Sequence, residues 1–157
     1  MISIPYDISL LQEMLKTPDD IGAVLRGHLI IERCLVDKCA QFFPDVEKVY
    51  GDRLDTAHCL RLLRLISAPD SLLNPCGKIN SLRNKFAHGK LNELTAQHVQ
   101  ELRSLLPDKM KGFVDSNSIK VSLLQMQILA ANGTFSVEFG PNQSAPKLTW
   151  KSIDFDW

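Results

Sequence analysis

A chain of 157 residues, 45% apolar and 23% charged, is long enough for one globular domain with its own core. Its 18 basic and 18 acidic residues cancel, and an isoelectric point near 6.9 excludes bulk electrostatic attraction to nucleic acid. Any such contact must rest on a local patch.

The four cysteines, Cys34, Cys39, Cys59 and Cys76, form no Cys-x-x-Cys pair and no zinc spacing. They read as buried free thiols in a reducing compartment. Met1 to Tyr6 lacks the basic and apolar regions of a signal peptide. No apolar run approaches the ~18–20 residues that span a bilayer. The expectation is a cytoplasmic protein with no membrane contact.

Asp7 to Lys16 predicts a short amphipathic helix with Ile8, Leu11 and Leu15 on one face. Thr17-Pro18-Asp19-Asp20 ends it and opens the next. The second helix runs from about Asp19 to Phe43. Its apolar residues spread around more than one face, which marks it as central. Glu32 lies within it and is a candidate to orient Arg83, or to pair with Arg33 or Lys38. His28 reads as a satisfied histidine. Val46 to Gly51 is a connection. Leu54 to Ile66 is the third helix, with His58, Arg61 and Arg64 on its more polar sides. Asp70 or Ser71 opens the fourth, which Asn74-Pro75-Cys76-Gly77 is expected to bend.

The informative stretch lies at the end of that fourth helix, from Lys78 to Gly89. Ile79, Leu82 and Phe86 recur at the spacing of an apolar stripe, expected to pack on the long second helix. Gly89 stands where a helix C-terminus wants a residue free to take positive φ. The other faces carry Arg83, Asn84 and His88. From Ser71 to Asn92 there is no acidic residue, while Lys78, Arg83, Lys85 and Lys90 give a local charge of +4. A basic patch containing a histidine suits a phosphate-bearing ligand. Arg83 and His88 are five apart, roughly 140° around an ideal helix, so a straight helix does not bring them to one atom. Unwinding at His88, or a symmetric dimer with two helix ends facing, brings them together.

Thr95 caps a fifth helix reaching Leu106, with His98 on its surface. Pro107-Asp108 begins a further helical stretch that Met110, Phe113 and Val114 open and Ile119 to Ala131 carries on, with Asp115-Ser116-Asn117-Ser118 as a candidate break between the two parts. Beyond it, Phe135, Val137 and Phe139 alternate with polar residues, as do Leu148 and Trp150, which suggests a short β-hairpin or an extended tail. The division expected is a helical domain over 1–133 and a tail over 134–157. The fold class is all-α, an up-down bundle.

Leu82-Arg83-Asn84-Lys85-Phe86-Ala87-His88-Gly89 resembles the Arg-x4-6-His signature of the HEPN superfamily, in its Arg-Asn-x-x-Ala-His form. The helix pattern upstream looks like the mannitol operon repressor branch of that fold. The resemblance covers roughly Ile8 to Leu106. It implies a metal-independent endoribonuclease with no cofactor, acting on RNA as a homodimer whose shared cleft holds two Arg83 and two His88. His88 would move the proton, Arg83 hold the phosphate, and Asn84 orient His88 or the ribose. Lys78, Lys85 and Lys90 would bind RNA phosphates, with Glu32 behind them. Such enzymes act as toxins or phage-defence effectors restrained by an antitoxin or other partner. The repressor likeness implies instead a non-catalytic regulator working through a protein or a ligand, since no basic recognition helix is present. A third reading is an all-α dimerisation module whose aromatic tail, ending Ile153-Asp154-Phe155-Asp156-Trp157, docks a partner.

Overall fold

The computed structural model describes residues 19–106 and 108–111, with Lys16 preceding them. Among the described residues every regular element is helical. The expected first helix over Asp7–Lys16 (apart from Lys16), the helical stretch over Ile119–Ala131 and the hairpin or tail over 134–157 lie outside the described residues.

Helix α1 spans Asp20–Phe42 and starts where Asp19 accepts the Gly22 N–H at 2.6 Å. Helix α2, Val46–Tyr50, occupies the segment expected to be a connection, and a single 3-10 turn over Gly51–Arg53 follows it. Val46 anchors this short helix in the core, which the local sequence does not advertise. Helix α3 spans Thr56–Leu65, beginning two residues later than the apolar pattern suggested. The reason is Asp55, whose carboxylate accepts the His58 N–H at 2.9 Å and fixes the cap.

Helix α4 spans Asp70–Ala87. It opens at Asp70, as expected, with Pro69 before it in the cap position, and it continues through Pro75 as one helix. Pro75 removes one early backbone hydrogen bond, and its buried ring packs with the core instead. Helix α5, Ala96–Ser104, is capped by Thr95, with His98 reaching back to the Thr95 N–H at 3.1 Å in the role a glutamate usually fills. A short α6, Asp108–Lys111, closes the described chain.

Three helices make the core. α1 packs on α3 and α4, α3 packs on α4, and α5 lies against α4. Val24, Ile31 and Leu35 from α1 meet Cys59 and Leu63 from α3 and Leu73, Ile79 and Leu82 from α4, all essentially without solvent contact. Each such side chain contributes about 1.5–3 kcal/mol of apolar burial. The stripe of Ile79, Leu82 and Phe86 is buried as its spacing predicts. All four cysteines are buried free thiols. Burial pushes the Cys34 thiol up to about 12, so it stays protonated. No helix among the described residues is long and apolar enough to cross a membrane.

Two leucines of α3 separate burial from composition. Leu63 is 0% exposed and Leu65 is 77% exposed. Leu63→Ala should lower unfolding free energy by about 2–5 kcal/mol, and Leu65→Ala should change it by less than about 0.5 kcal/mol. Chemical denaturation of the two variants checks both values.

Candidate functional site: a cationic cleft at the end of α4

α4 ends in a tight double closure. His88 is the cap residue and its N–H still bonds to the Asn84 carbonyl at 3.0 Å. Gly89 then turns to φ +65°, where a side chain would be strained. Its N–H returns to the Phe86 carbonyl at 3.0 Å, and the Lys90 N–H returns to the Lys85 carbonyl at 2.8 Å. This is the Schellman arrangement, which brings together the side chains three places before and two places after the cap. Those positions usually hold an apolar pair. Here they hold Lys85 and Lys90, both exposed. Two like charges drawn together in this way favour an anion between them.

A cleft of about 300 Å³ lies along this end of the helix, lined by Gly77, Asn80, Ser81, Asn84, Lys85, His88 and Lys90. Up to His88 these residues follow at three- and four-residue intervals, so they form one continuous face of α4. Hydroxyl, amide, ammonium and imidazole groups border the cleft, and among the described residues no carboxylate does. It can hold a phosphate, and His88 can exchange a proton with whatever is bound there.

The signature residues divide. Asn84 and His88 share the cleft, and Lys85 and Lys90 join them. Arg83 is not in its lining. Its Nη1 donates to Asn84 Oδ1 at 2.9 Å, and among the described residues no carboxylate lies within ion-pair distance of it. Lys78 stands apart from the cleft and pairs with Glu101 of α5. Hydrogen bonding from Lys78 holds the Glu101 carboxyl below its ordinary range. Glu32 forms no ion pair with Arg83 or Arg33. Its Oε1 accepts the Thr56 N–H and the Thr56 hydroxyl, each at 3.2 Å, and so helps cap α3. Lys38 is buried with its ammonium 5.9 Å from the Phe42 ring centre.

Sequence reasoning passed over the layer behind the cleft. His28 of α1 is 2% exposed. Its Nε2 lies 3.0 Å from Asn80 Oδ1 and 3.1 Å from Thr56 Oγ1. So Glu32, Thr56, His28 and Asn80 form a chain of polar contacts through the α1–α3–α4 interface, reaching the cleft at Asn80. The only signal for Asn80 was its place four residues before Asn84. His28 is the satisfied histidine that the sequence suggested, with partners that no local pattern identifies. Among the described residues no group of three or more His, Cys, Asp or Glu gathers to hold a metal ion. No family model matches this chain, and neither a curated protein nor a solved structure does.

Burial lowers the His28 pKa from its ordinary 6.5; Glu32 opposes that shift and the Arg83 charge adds to it. The fold therefore holds His28 neutral, while the unfolded chain takes up a proton as pH falls through 6.5. Stability from this residue is complete above 6.5 and is lost progressively as pH falls from there toward the lower folded-state value. His28→Gln should be less stable at neutral pH and should lose part of the acid-side decline. Denaturant midpoints of both proteins across that range measure the difference, and parallel curves would remove His28 from the explanation.

Proposed function

We propose that this chain is a metal-independent endoribonuclease of HEPN type, with the α4 cleft as its phosphate site. The observation that carries the reading is the convergence of Asn84, His88, Lys85 and Lys90 on one cleft that, among the described residues, no carboxylate borders. The reaction needs a base for the ribose 2′-hydroxyl and an acid for the leaving oxygen. The 2′-oxygen attacks the adjacent phosphorus, the bond to the 5′-oxygen breaks, and a cyclic phosphate and a 5′-hydroxyl result. Fixed donors stabilise the charge that builds on the phosphorus oxygens.

One chain brings one His88 to the cleft, so base and acid together call for two copies. A homodimer that sets two α4 ends face to face supplies both imidazoles. Within one chain Arg83 lies behind Asn84 and polarises its amide; in the dimer reading its guanidinium joins the shared cleft. The biological role that fits is a toxin or phage-defence effector held in check by a partner protein.

The regulator reading has one observation in its favour. Arg83 is engaged with Asn84 and does not line the cleft, which suits a site that binds a phosphorylated ligand without cleaving it.

Induced expression in bacteria separates the two. Wild type should arrest growth and leave discrete RNA fragments. Arg83→Ala and His88→Ala should remain folded and lose cleavage by about 10²-fold or more. Intact RNA with wild type in the purified, dimeric state would shift the assignment to the regulator.

A further inference from the structure

The proton positions behind the cleft follow from the chemistry of one end. The Glu32 carboxylate can only accept hydrogen bonds. The Thr56 hydroxyl, 3.2 Å from Glu32 Oε1, therefore gives its hydrogen to Glu32. Its oxygen is then left to accept from His28 Nε2, at 3.1 Å. So Nε2 carries the one proton and shares it between Thr56 Oγ1 and Asn80, which, at 3.0 Å from the same nitrogen, must present its oxygen. The amide of Asn80 is thereby fixed with Oδ1 turned into the protein. Its NH2 group finds no acceptor among the described residues, and Asn80 lines the cleft.

The same logic holds one turn later. A guanidinium only donates, so Asn84 turns its oxygen to Arg83 and keeps its NH2 for the cleft. Asn80, Asn84 and His88 thus follow one another at intervals of about 6 Å along the helix axis. A row of this length has room for more than one phosphate of a single strand.

We propose that Asn80 is an oxyanion-binding residue of the cleft, holding a second RNA phosphate beside the one at His88, with His28, Thr56 and Glu32 as its positioning residues. This rests on the reading of the cleft as an RNA site. It extends that site beyond the Arg83–His88 signature, into a half that the signature does not describe.

The test uses the full chain, labelled with nitrogen-15, and a short RNA methylated at every 2′-hydroxyl so that cleavage is blocked. The side-chain NH2 signals of Asn80 should shift saturably with those of Asn84. Asn80→Asp keeps an oxygen toward His28 and replaces the outward donor with a carboxylate, so RNA affinity should fall at least tenfold. Thr56→Val breaks the chain of contacts and should weaken binding several-fold, and Thr56→Ser should restore it. A purely structural Thr56 would change the melting temperature in the valine variant without changing the affinity of the folded fraction. Should either variant fail to fold, the wild-type Asn80 shift decides alone.

If the Asn84 signals move and those of Asn80 do not, Asn80 is no ligand, while the RNA reading survives. If neither moves, both readings fall. If Asn80 moves but unmethylated RNA is never cut, the proposal stands and the nuclease assignment falls.

Discussion

The structure depends on how α4 divides its surface. One side must bury Leu73, Ile79, Leu82 and Phe86 against α1 and α3, because that packing is most of what holds three helices together. The side left over carries Gly77, Asn80, Ser81, Asn84 and His88, and it becomes the cleft. The helix cannot rotate to change this division without exposing the apolar stripe. The positions of the polar groups are therefore set by the core, and the Gly89 closure then folds Lys90 back toward Lys85. A rigid helix face with its polar groups supported from behind is what precise anion recognition requires.

The layer behind the face carries its own constraint. His28 is an imidazole with almost no solvent contact, and an unpartnered polar group there would be costly. Thr56 and Asn80 satisfy its Nε2, and Glu32 completes the chain while capping α3. One small network thus ties the start of α3 to the middle of α1 and to the cleft. Electrostatics point the same way. Of the four cations in the acid-free stretch, Lys78 is paired with Glu101, and Arg83 is turned to Asn84. Lys85 and Lys90 remain at the cleft. In a chain of zero net charge, these two lysines give the cleft a local positive charge that no cleft residue among the described ones offsets.

Much of this was legible from the sequence because it is local. The start of α1 near Asp19, the Thr95 cap, the Gly89 stop and the stripe of Ile79, Leu82 and Phe86 are all decided within a turn or two. What was not legible depends on distance along the chain. Val46–Tyr50 is helical because Val46 reaches the core. The helix passes Pro75 because tertiary packing outweighs a single missing bond. The His28–Asn80 contact joins residues 52 apart, which no helical period encodes. Glu32 was noticed as an acid on an apolar helix, but its partner proved to be a helix start rather than an arginine. Asn80 has the same residue type as Asn84 and sits one turn before it, so following that face of α4 N-terminally past the signature would have found it.

The central claim is that RNA phosphates bind along this cleft, and the salt dependence of binding tests it most directly. Affinity for a 2′-O-methylated RNA would be measured over a series of salt concentrations for wild type, Lys85→Gln and Lys90→Gln. If each lysine meets a phosphate, the slope of log affinity against log salt should shrink by about 0.7 for each substitution. Lys78→Gln, whose lysine is held by Glu101 away from the cleft, should leave the slope as it is. Slopes unchanged by Lys85→Gln and Lys90→Gln, or changed equally by Lys78→Gln, would place the RNA elsewhere and contradict the assignment.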